Sequence, residues 1–377
     1  MALKTVTFTD LSIALGDFTS SVMSYSYTWG RQSYLDNWAG NQLTITIRNN
    51  NNQASIFAIN HRISCSIIPG HFWVSQITFQ DAVGTQAATG SGASSTATIV
   101  CEDWLAKAGR VQVNNKTLTQ ADTIAQINQF STELLAADLE IDTTFTTGQS
   151  IASAATYSGT VANRVNLNMN TEKGQIRYVG KKAAFLPRNS ISINPSSPVV
   201  ASNDQGGVTI LYQGFERRTL GQSFSTSVTV QPDGLTPQTG LDPAAFSTYG
   251  TVSATTSTVD ATTGQALDLA NWLSRVQSNP MSLTFAIEVS DTGNSLTAFD
   301  QWLATVNSTS GWGIGLLYYV PGSAAQNNLT VVLEGVSYSG TPDRNETIAY
   351  FSPLAFYDIF LLDSSLQGRL DINRLGF

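Results

Sequence analysis

Strict alternation of apolar and polar positions fills the first hundred residues. Val22-Met-Ser-Tyr-Ser-Tyr-Thr-Trp29 alternates large and small side chains, and Gln42-Leu-Thr-Ile-Thr-Ile-Arg48 puts Leu43, Ile45 and Ile47 on one face. Period two is the signature of a half-buried strand. Thr5-Val-Thr-Phe8 is a shorter version, and the polar run Asn49–Asn52 ends the Gln42–Arg48 strand. Ser64–Ile68 and Phe72–Phe79 read as a hairpin about Pro69-Gly70. Ala87–Ser95 is small and polar, a loop or hairpin tip, and Thr96–Cys101 closes the unit. Short strands at this spacing predict a first β-barrel or sandwich of about 100 residues, over 1–102.

The period changes after Asp103-Trp104-Leu105. Thr119 is a good N-cap with Asp122 three residues on, and Ile124, Ile127, Phe130 and Leu134 follow at helical spacing. One helix near 119–136 is expected. Val165–Met169 and Gln175–Val179 read as strands, and Pro187, Pro195 and Pro198 mark a linker. Residues 103–200 therefore read as an α+β domain. Alternation returns at Val208–Tyr212 and Ser223–Val230. A helix near 263–278 carries Ala266, Leu269, Ala270, Leu273 and Val276 on one face, with Thr263 near its N-cap and Asn279-Pro280 as its stop. Leu283–Val289, Gly315–Val320, Leu329–Tyr338 and Thr347–Phe351 are further strands. The simplest division is a second β-barrel over 201–240 and 281–353, interrupted by an inserted domain at 241–280. The fold class is mainly β with α+β parts: two β-barrel domains, two smaller domains, and a C-terminal tail at 354–377. The doubled β pattern hints at an internal duplication, by pattern alone.

Composition sharpens this picture. At 377 residues the chain is long enough for two to four structural units. Charged residues are only 12 %, about half the usual share, while hydrophobic residues are an ordinary 42 %. The surface is neutral and polar, as suits a protein packed against other subunits better than a freely diffusing one. A net charge of −8 with no basic cluster argues against a nucleic-acid-binding face. It suits a surface that DNA passes without sticking. No apolar run reaches the length of a membrane-spanning helix, and Met1-Ala-Leu-Lys-Thr-Val-Thr-Phe8 has no signal-peptide pattern, so synthesis in a cytoplasm is expected.

Candidate chemistry is sparse. Cys65 and Cys101 read as two buried thiols, with a disulfide open only if two strands bring them together. His61 and His71 share no metal-ligand spacing and no nucleophile motif, and read as structural or surface residues. Glu102-Asp103 reads as a solvated turn rather than an acid–base pair. Gly84–Gly92 and Gly311-Trp-Gly-Ile-Gly315 are glycine-rich, but the second lacks the Lys-Ser/Thr ending of a phosphate loop. Asp10, Asp17 and Asp36 lack calcium-loop spacing. The seven tryptophans, Trp29, Trp38, Trp73, Trp104, Trp272, Trp302 and Trp312, could stack on sugars but are scattered on apolar faces, which favours core packing. The sequence thus selects no catalytic, cofactor-binding or metal-binding residue; a non-enzyme without cofactor or metal is expected.

The tail is different. Leu361, Leu362, Leu366, Leu370, Ile372, Leu375 and Phe377 crowd the last residues. Burying each is worth roughly 1.5–3 kcal/mol, so the segment is expected to dock on its own body or on a neighbouring copy. Leu366, Leu370, Ile372, Leu375 and Phe377 are the candidate assembly interface.

Two stretches carry a resemblance. The first runs from Phe18 to Asn50 in the order Gly30-Arg31, Ala39-Gly40, Leu43-Thr-Ile45, Asn49-Asn50. The second runs from Glu334-Gly-Val-Ser-Tyr-Ser339 through Ser352-Pro353 to Leu370-Asp371, Arg374-Leu-Gly-Phe377. Together they bracket the chain, and they resemble the start and end of tail-tip (baseplate) hub proteins, minor tail proteins of long-tailed bacteriophages. The resemblance implies two β-barrel domains that form a pseudo-six-fold ring in a homotrimer, plus two further domains. It implies a hub that closes the tail tube, adapts six-fold to three-fold symmetry, and opens for tape-measure protein and DNA. Implied partners are two further copies, a distal tail or tail tube protein, the tape-measure protein, and separate fibre or tip proteins. DNA would pass without specific binding, with no stable membrane insertion. The implied location is the virion tail tip, after synthesis in the bacterial host cytoplasm. A hexameric distal tail ring protein, with one barrel and an appended domain, is the alternative within this class. A carbohydrate- or receptor-binding tail module is the alternative outside it.

Overall fold

The alternating segments become strands because each lays its apolar set on one face. The computed structural model describes residues 6–14, 16–49, 53–80, 95–190, 200–202, 210–211, 213–219, 221–278, 281–288, 303, 313–319 and 326–354. The N-terminal strands are β1 (Phe8–Asp10), β2 (Val22–Gly30), β3 (Gln42–Arg48), β4 (Arg62–Cys65), β5 (His71–Gln80) and β6 (Thr96–Glu102). They lie side by side in the order β1-β4-β5-β6-β3-β2, every neighbour antiparallel. Leu43, Ile45 and Ile47 are fully buried, as period two requires. β4 and β5 form the expected hairpin, pairing Ile63 with Phe72.

The sheet continues past β2. Strand Gln326–Thr341 pairs antiparallel with β2, setting Tyr27 opposite Tyr338. The first part of that strand pairs Gly313–Tyr319, and its length from Val331 onward pairs Arg344–Pro353. Arg344–Pro353 leads on to Met281–Glu288 and then Gln213–Thr219. Among the described residues thirteen strands share this one sheet, which curls into a half-barrel. Strands expected in two separate β units therefore share hydrogen bonds, and one apolar cluster runs from Val6 to Phe351.

Residues 103–190 pack beside this sheet. Helix α1 (Trp104–Ala108) starts at Asp103. The single helix expected near 119–136 is two, α2 (Thr123–Asn128) and α3 (Ser131–Ala136). Asp122, not Thr119, caps α2. Thr119 is instead tied to the far end of that helix, its Oγ1 accepting from Gln129 Nε2 at 2.9 Å. Phe130 breaks the helix and is fully buried, its ring edge-on to Tyr157. The strand expected at Val165–Met169 is instead part of helix α4 (Val161–Glu172). Thr160 caps it, and Val161, Val165 and Met169 recur every four residues on its buried side, so the helical period prevails over the local Val-Asn-Leu-Asn-Met alternation. A hairpin of Gln175–Val179 and Lys182–Leu186 follows.

A smaller core lies in residues 227–277. Helix α5 (Pro243–Tyr249) buries none of its residues, while α6 (Thr263–Gln277), capped by Thr262, buries Ala266, Leu269, Ala270, Leu273 and Val276. Strand Ser227–Pro232 pairs antiparallel with Gln238–Leu241 and parallel with Ser253–Thr258. Val228 and Val230 pack on Ala266, Leu269, Ala270 and Leu273. Residues 227–240, read from sequence as part of a second barrel, thus belong to this three-stranded sheet, because their apolar face is covered by α6. Leu366, Leu370, Ile372, Leu375 and Phe377 lie outside the described residues, as do Gly84–Gly92, Pro195, Pro198, Trp302, Trp312 and almost all of the 354–377 tail. Among the described residues no helix is long and apolar enough to cross a membrane.

Candidate functional site

The two stretches singled out in the sequence meet in space. β2 ends at Gly30, which stands opposite Gly335. Gly30 has φ +81°, and a Cβ there would lie 2.3 Å from the Glu334 carbonyl oxygen. A Cβ on Gly335 would lie 2.5 Å from the Trp29 carbonyl oxygen. Only two glycines allow these backbones to come so close.

That approach fits a register shift between Leu333 and Gly335, where Gln326–Thr341 pairs with Arg344–Pro353. Glu334 sits in the irregularity and is fully buried. Arg31, the residue after Gly30, donates its backbone N–H to the Glu334 carbonyl at 3.1 Å. Its Nε donates to Glu334 Oε2 at 2.8 Å, and both side chains are shut off from solvent. The Arg31 guanidinium lies against the rings of Tyr34 and Trp38, 5.0 and 4.9 Å from their centroids. A buried arginine here has its charge met by a carboxylate and its flat faces by aromatic rings, which offsets the cost of leaving water. Tyr34 closes the far side, its N–H donating to Ser352 Oγ at 3.0 Å.

A second arginine locks the 175–186 hairpin to the same place. The Arg177 guanidinium stands 4.3 Å from the Trp29 ring. It donates to the Leu333 carbonyl at 3.1 Å and to Gln175 Oε1 at 2.7 Å, and Gln175 Nε2 donates to the same carbonyl at 3.0 Å. The carbonyl next to the irregularity is satisfied from outside the sheet, as a buried acceptor must be.

The rest of the first stretch anchors helix α1. A Cβ on Gly40 would sit 2.3 Å from the Ala106 nitrogen, so this turn presses directly on the helix. Asn41 N–H donates to Asp103 Oδ2 at 2.9 Å, Tyr27 Oη donates to the same oxygen at 3.2 Å, and Ala106 N–H donates to Asp103 Oδ1 at 2.8 Å. Burial pushes the Asp103 carboxyl up to about 7, against the pull of these hydrogen bonds. The sequence reading of Glu102-Asp103 as a solvated turn is therefore corrected: Glu102 is 6 % exposed and pairs with Arg110, and Asp103 is wholly buried. Both are structural, since α1 needs a cap and the cap is enclosed by β2 and β3.

The other sequence candidates have structural surroundings. His61 Nδ1 meets the buried Asp10 Oδ2 at 2.7 Å. His71 is half-buried with its pKa lowered by burial first and by Arg62 next. Cys65 and Cys101 are free and buried. They lie on β4 and β6 with β5 between, Cys101 opposite Val74 and Cys65 beyond the Ser64–His71 pair, so two strand spacings of about 4.8 Å and an offset along the strands put them beyond disulfide reach. Trp29, Trp38, Trp73 and Trp104 are buried in the core and present no stacking face to a sugar. A groove of about 740 Å³ between residues 7–22 and the turn at 341–343 is lined by hydroxyls and the carboxylates of Asp17 and Asp343. Among the described residues no three His, Cys, Asp or Glu side chains gather as a metal site. Sequence reasoning missed the Arg31–Glu334 pair. The signal available was the mirrored Gly30-Arg31 and Glu334-Gly335 dipeptides.

The fold is similar to that of two solved tail proteins, one of them from a prophage. The tail protein from Neisseria meningitidis MC58 superposes with a TM-score of 0.59 at 9 % identity, over 94 % of this chain and 97 % of that one. The 43 kDa tail protein of prophage MuSo2 from Shewanella oneidensis gives 0.52 at 10 % identity, over 94 % and 98 %. At these identities the likeness is one of fold. No protein-family model and no curated protein sequence matches the chain.

Proposed function

We propose that the protein is a structural component of a phage virion tail, and within the tail its tip hub. The observation that supports the reading is the extent of the likeness: the similarity in fold to a solved tail protein spans 94 % of this chain, and Arg31 and Glu334 join the N-terminal strands to those near the other end. In this reading the chain is not an enzyme. Two barrel-like halves of the sheet from each of three copies form a pseudo-six-fold ring that closes the tail tube and gates tape-measure protein and DNA. Distal tail or tube protein, tape-measure protein and separate fibre or tip proteins are its partners. The net charge of −8 supports a lumen that DNA traverses without adhering, since phosphate affinity comes from Lys and Arg. Phe246 and Tyr249 on α5, 41 % and 66 % exposed, support a life in assembly. The mass of the purified assembly tests the proposal. A trimer is expected; a hexamer would favour the distal tail ring, and a stable monomer would overturn the hub.

A further inference from the structure

A short seam ties the three-stranded sheet of residues 227–258 to α4 and its neighbours. Strand Ser253–Thr258 runs on into Val259-Asp260-Ala261, where Asp260 stands antiparallel opposite Ala152. Ile151–Ala152 in turn pairs with Ala121–Asp122, just before α2. Ser153 N–H donates to the Val259 carbonyl and Ala261 N–H to the Ile151 carbonyl, both at 2.8 Å. Val259 N–H donates to Thr171 Oγ1 on α4 at 2.9 Å. Thr258, Val259, Ala152 and Thr171 are all buried. A carboxylate sits among them. Asp260 is 1 % exposed, and its Oδ2 accepts from Thr258 Oγ1 at 2.7 Å. Among the described residues no Lys, Arg or His forms an ion pair with it, and the charge acting on it is that of Glu172, of the same sign. Glu172 is buried at the end of α4 and accepts from Thr123 Oγ1 at 2.7 Å and from the Gln149 and Ser150 N–H groups at 3.0 Å. The other charged groups on the surrounding elements are engaged elsewhere. Arg164 of α4 donates to Gln126 Oε1 at 3.1 and 2.8 Å, and Asp122 Oδ1 accepts from the Ala125 and Gly148 N–H groups at 2.9 and 2.7 Å. Asp233 donates its N–H to the Thr258 carbonyl at 3.0 Å, and its charge acts on Arg164. A buried carboxylate with no cation beside it favours its neutral form.

We propose that Asp260 is a proton-operated latch on this seam. With its proton it leaves the seam uncharged beside Glu172, and Val259–Ala261 stays against Ile151–Ala152. Without the proton, Asp260 and Glu172 repel each other with no cation paired to Asp260, and the seam opens more often. The sheet it holds carries α5, with Phe246 and Tyr249 exposed, so the latch sets how firmly that apolar surface is fixed. Burial pushes the Asp260 carboxyl up to about 6 from an ordinary 3.8; Thr258 pulls it back and Glu172 adds to the rise. The folded value lies above the unfolded one, so the stabilisation is full below 3.8 and is lost as pH rises through about 6. The inference is independent of the tail-hub reading.

The test is hydrogen exchange of the full chain between pH 5 and pH 8, corrected for intrinsic rates and read at the Ser153, Val259 and Ala261 amides. Wild-type protection there is expected to fall over that range by about tenfold more than in Asp260→Asn, which keeps an oxygen for Thr258 and cannot ionise. The pH dependence set by Asp103 is present in both proteins, so their difference reads Asp260. Thr258→Val removes the donor to the ionised carboxylate and is expected to deepen the fall. Should Asp260→Asn fail to fold, Thr258→Val decides. A fall of equal size in wild type and Asp260→Asn, a fall no deeper in Thr258→Val, or wild-type protection that rises with pH overturns the latch.

Discussion

Asp103 and Arg31 each tie together elements far apart in sequence. Asp103→Ala removes the α1 cap and strands the Asn41 and Tyr27 donors, so a loss of about 2–4 kcal/mol is expected. Asp103→Asn keeps an acceptor oxygen and should cost clearly less. Asp103 also sets a pH dependence. Its folded pKa of about 7 lies above the ordinary 3.8, so the native state holds its proton more tightly than the unfolded chain. Its contribution is present below pH 4 and is lost as pH rises through about 7. Denaturant midpoints across that window should fall less steeply in Asp103→Asn; an unchanged slope would assign the effect elsewhere. For the Arg31–Glu334 pair, Arg31→Met leaves a buried carboxylate without its arginine and should cost about 3–5 kcal/mol. Adding Glu334→Gln should recover a good part of that. A cycle in which the two losses simply add would mean the pair is not coupled.

Elements obey the local code where packing agrees with it and depart where a competing partner intervenes. Thr262 caps α6 one residue before the expected start, and the apolar spacing of 266–276 is buried as read. The 119–136 segment had equally good spacing but is broken, since Phe130 turns into the core and Thr119 bonds Gln129. Val165–Met169 looks like a strand over five residues and is a helix over twelve, because a cap at Thr160 lies outside the short window. The long strand Gln326–Thr341 depends on its bulge and on bare glycines. Gly335→Ala would drive a methyl group into the Trp29 and Arg31 backbones, at 2.5 and 2.6 Å, neither of which can rotate away. The expected result is loss of the β2 pairing, at a cost above about 2 kcal/mol, read from hydrogen exchange at Tyr27 and Trp29. Normal protection there would show that the strands need no such closeness.

At the scale of the molecule, the sheet places the N-terminal strands and those just before the tail in one hydrogen-bonded body. The tail-hub proposal gives Leu366, Leu370, Ile372, Leu375 and Phe377 the role of docking on that body or on a neighbouring copy. Removing residues 366–377 should then lower the assembled fraction at a given protein concentration, in the same mass measurement that counts subunits. A truncated chain that assembles as fully as the intact one would show the dock to be dispensable.

Sequence alone determined the β-dominated class, the positions of most strands, the α6 face and the low-charge surface, because period, caps and composition are local properties. The resemblance at the two ends also pointed to the tail-protein fold. Tertiary structure decided the rest. Whether two β units remain apart or share a sheet depends on which edge β2 offers to Val336 and Tyr338, some three hundred residues away. Whether Glu102-Asp103 faces water depends on β2 and β3 covering it. Arg31 and Glu334 are ordinary surface residue types until Gly30 and Gly335 bring their backbones into contact, and no periodicity records a contact between residues so distant in the chain.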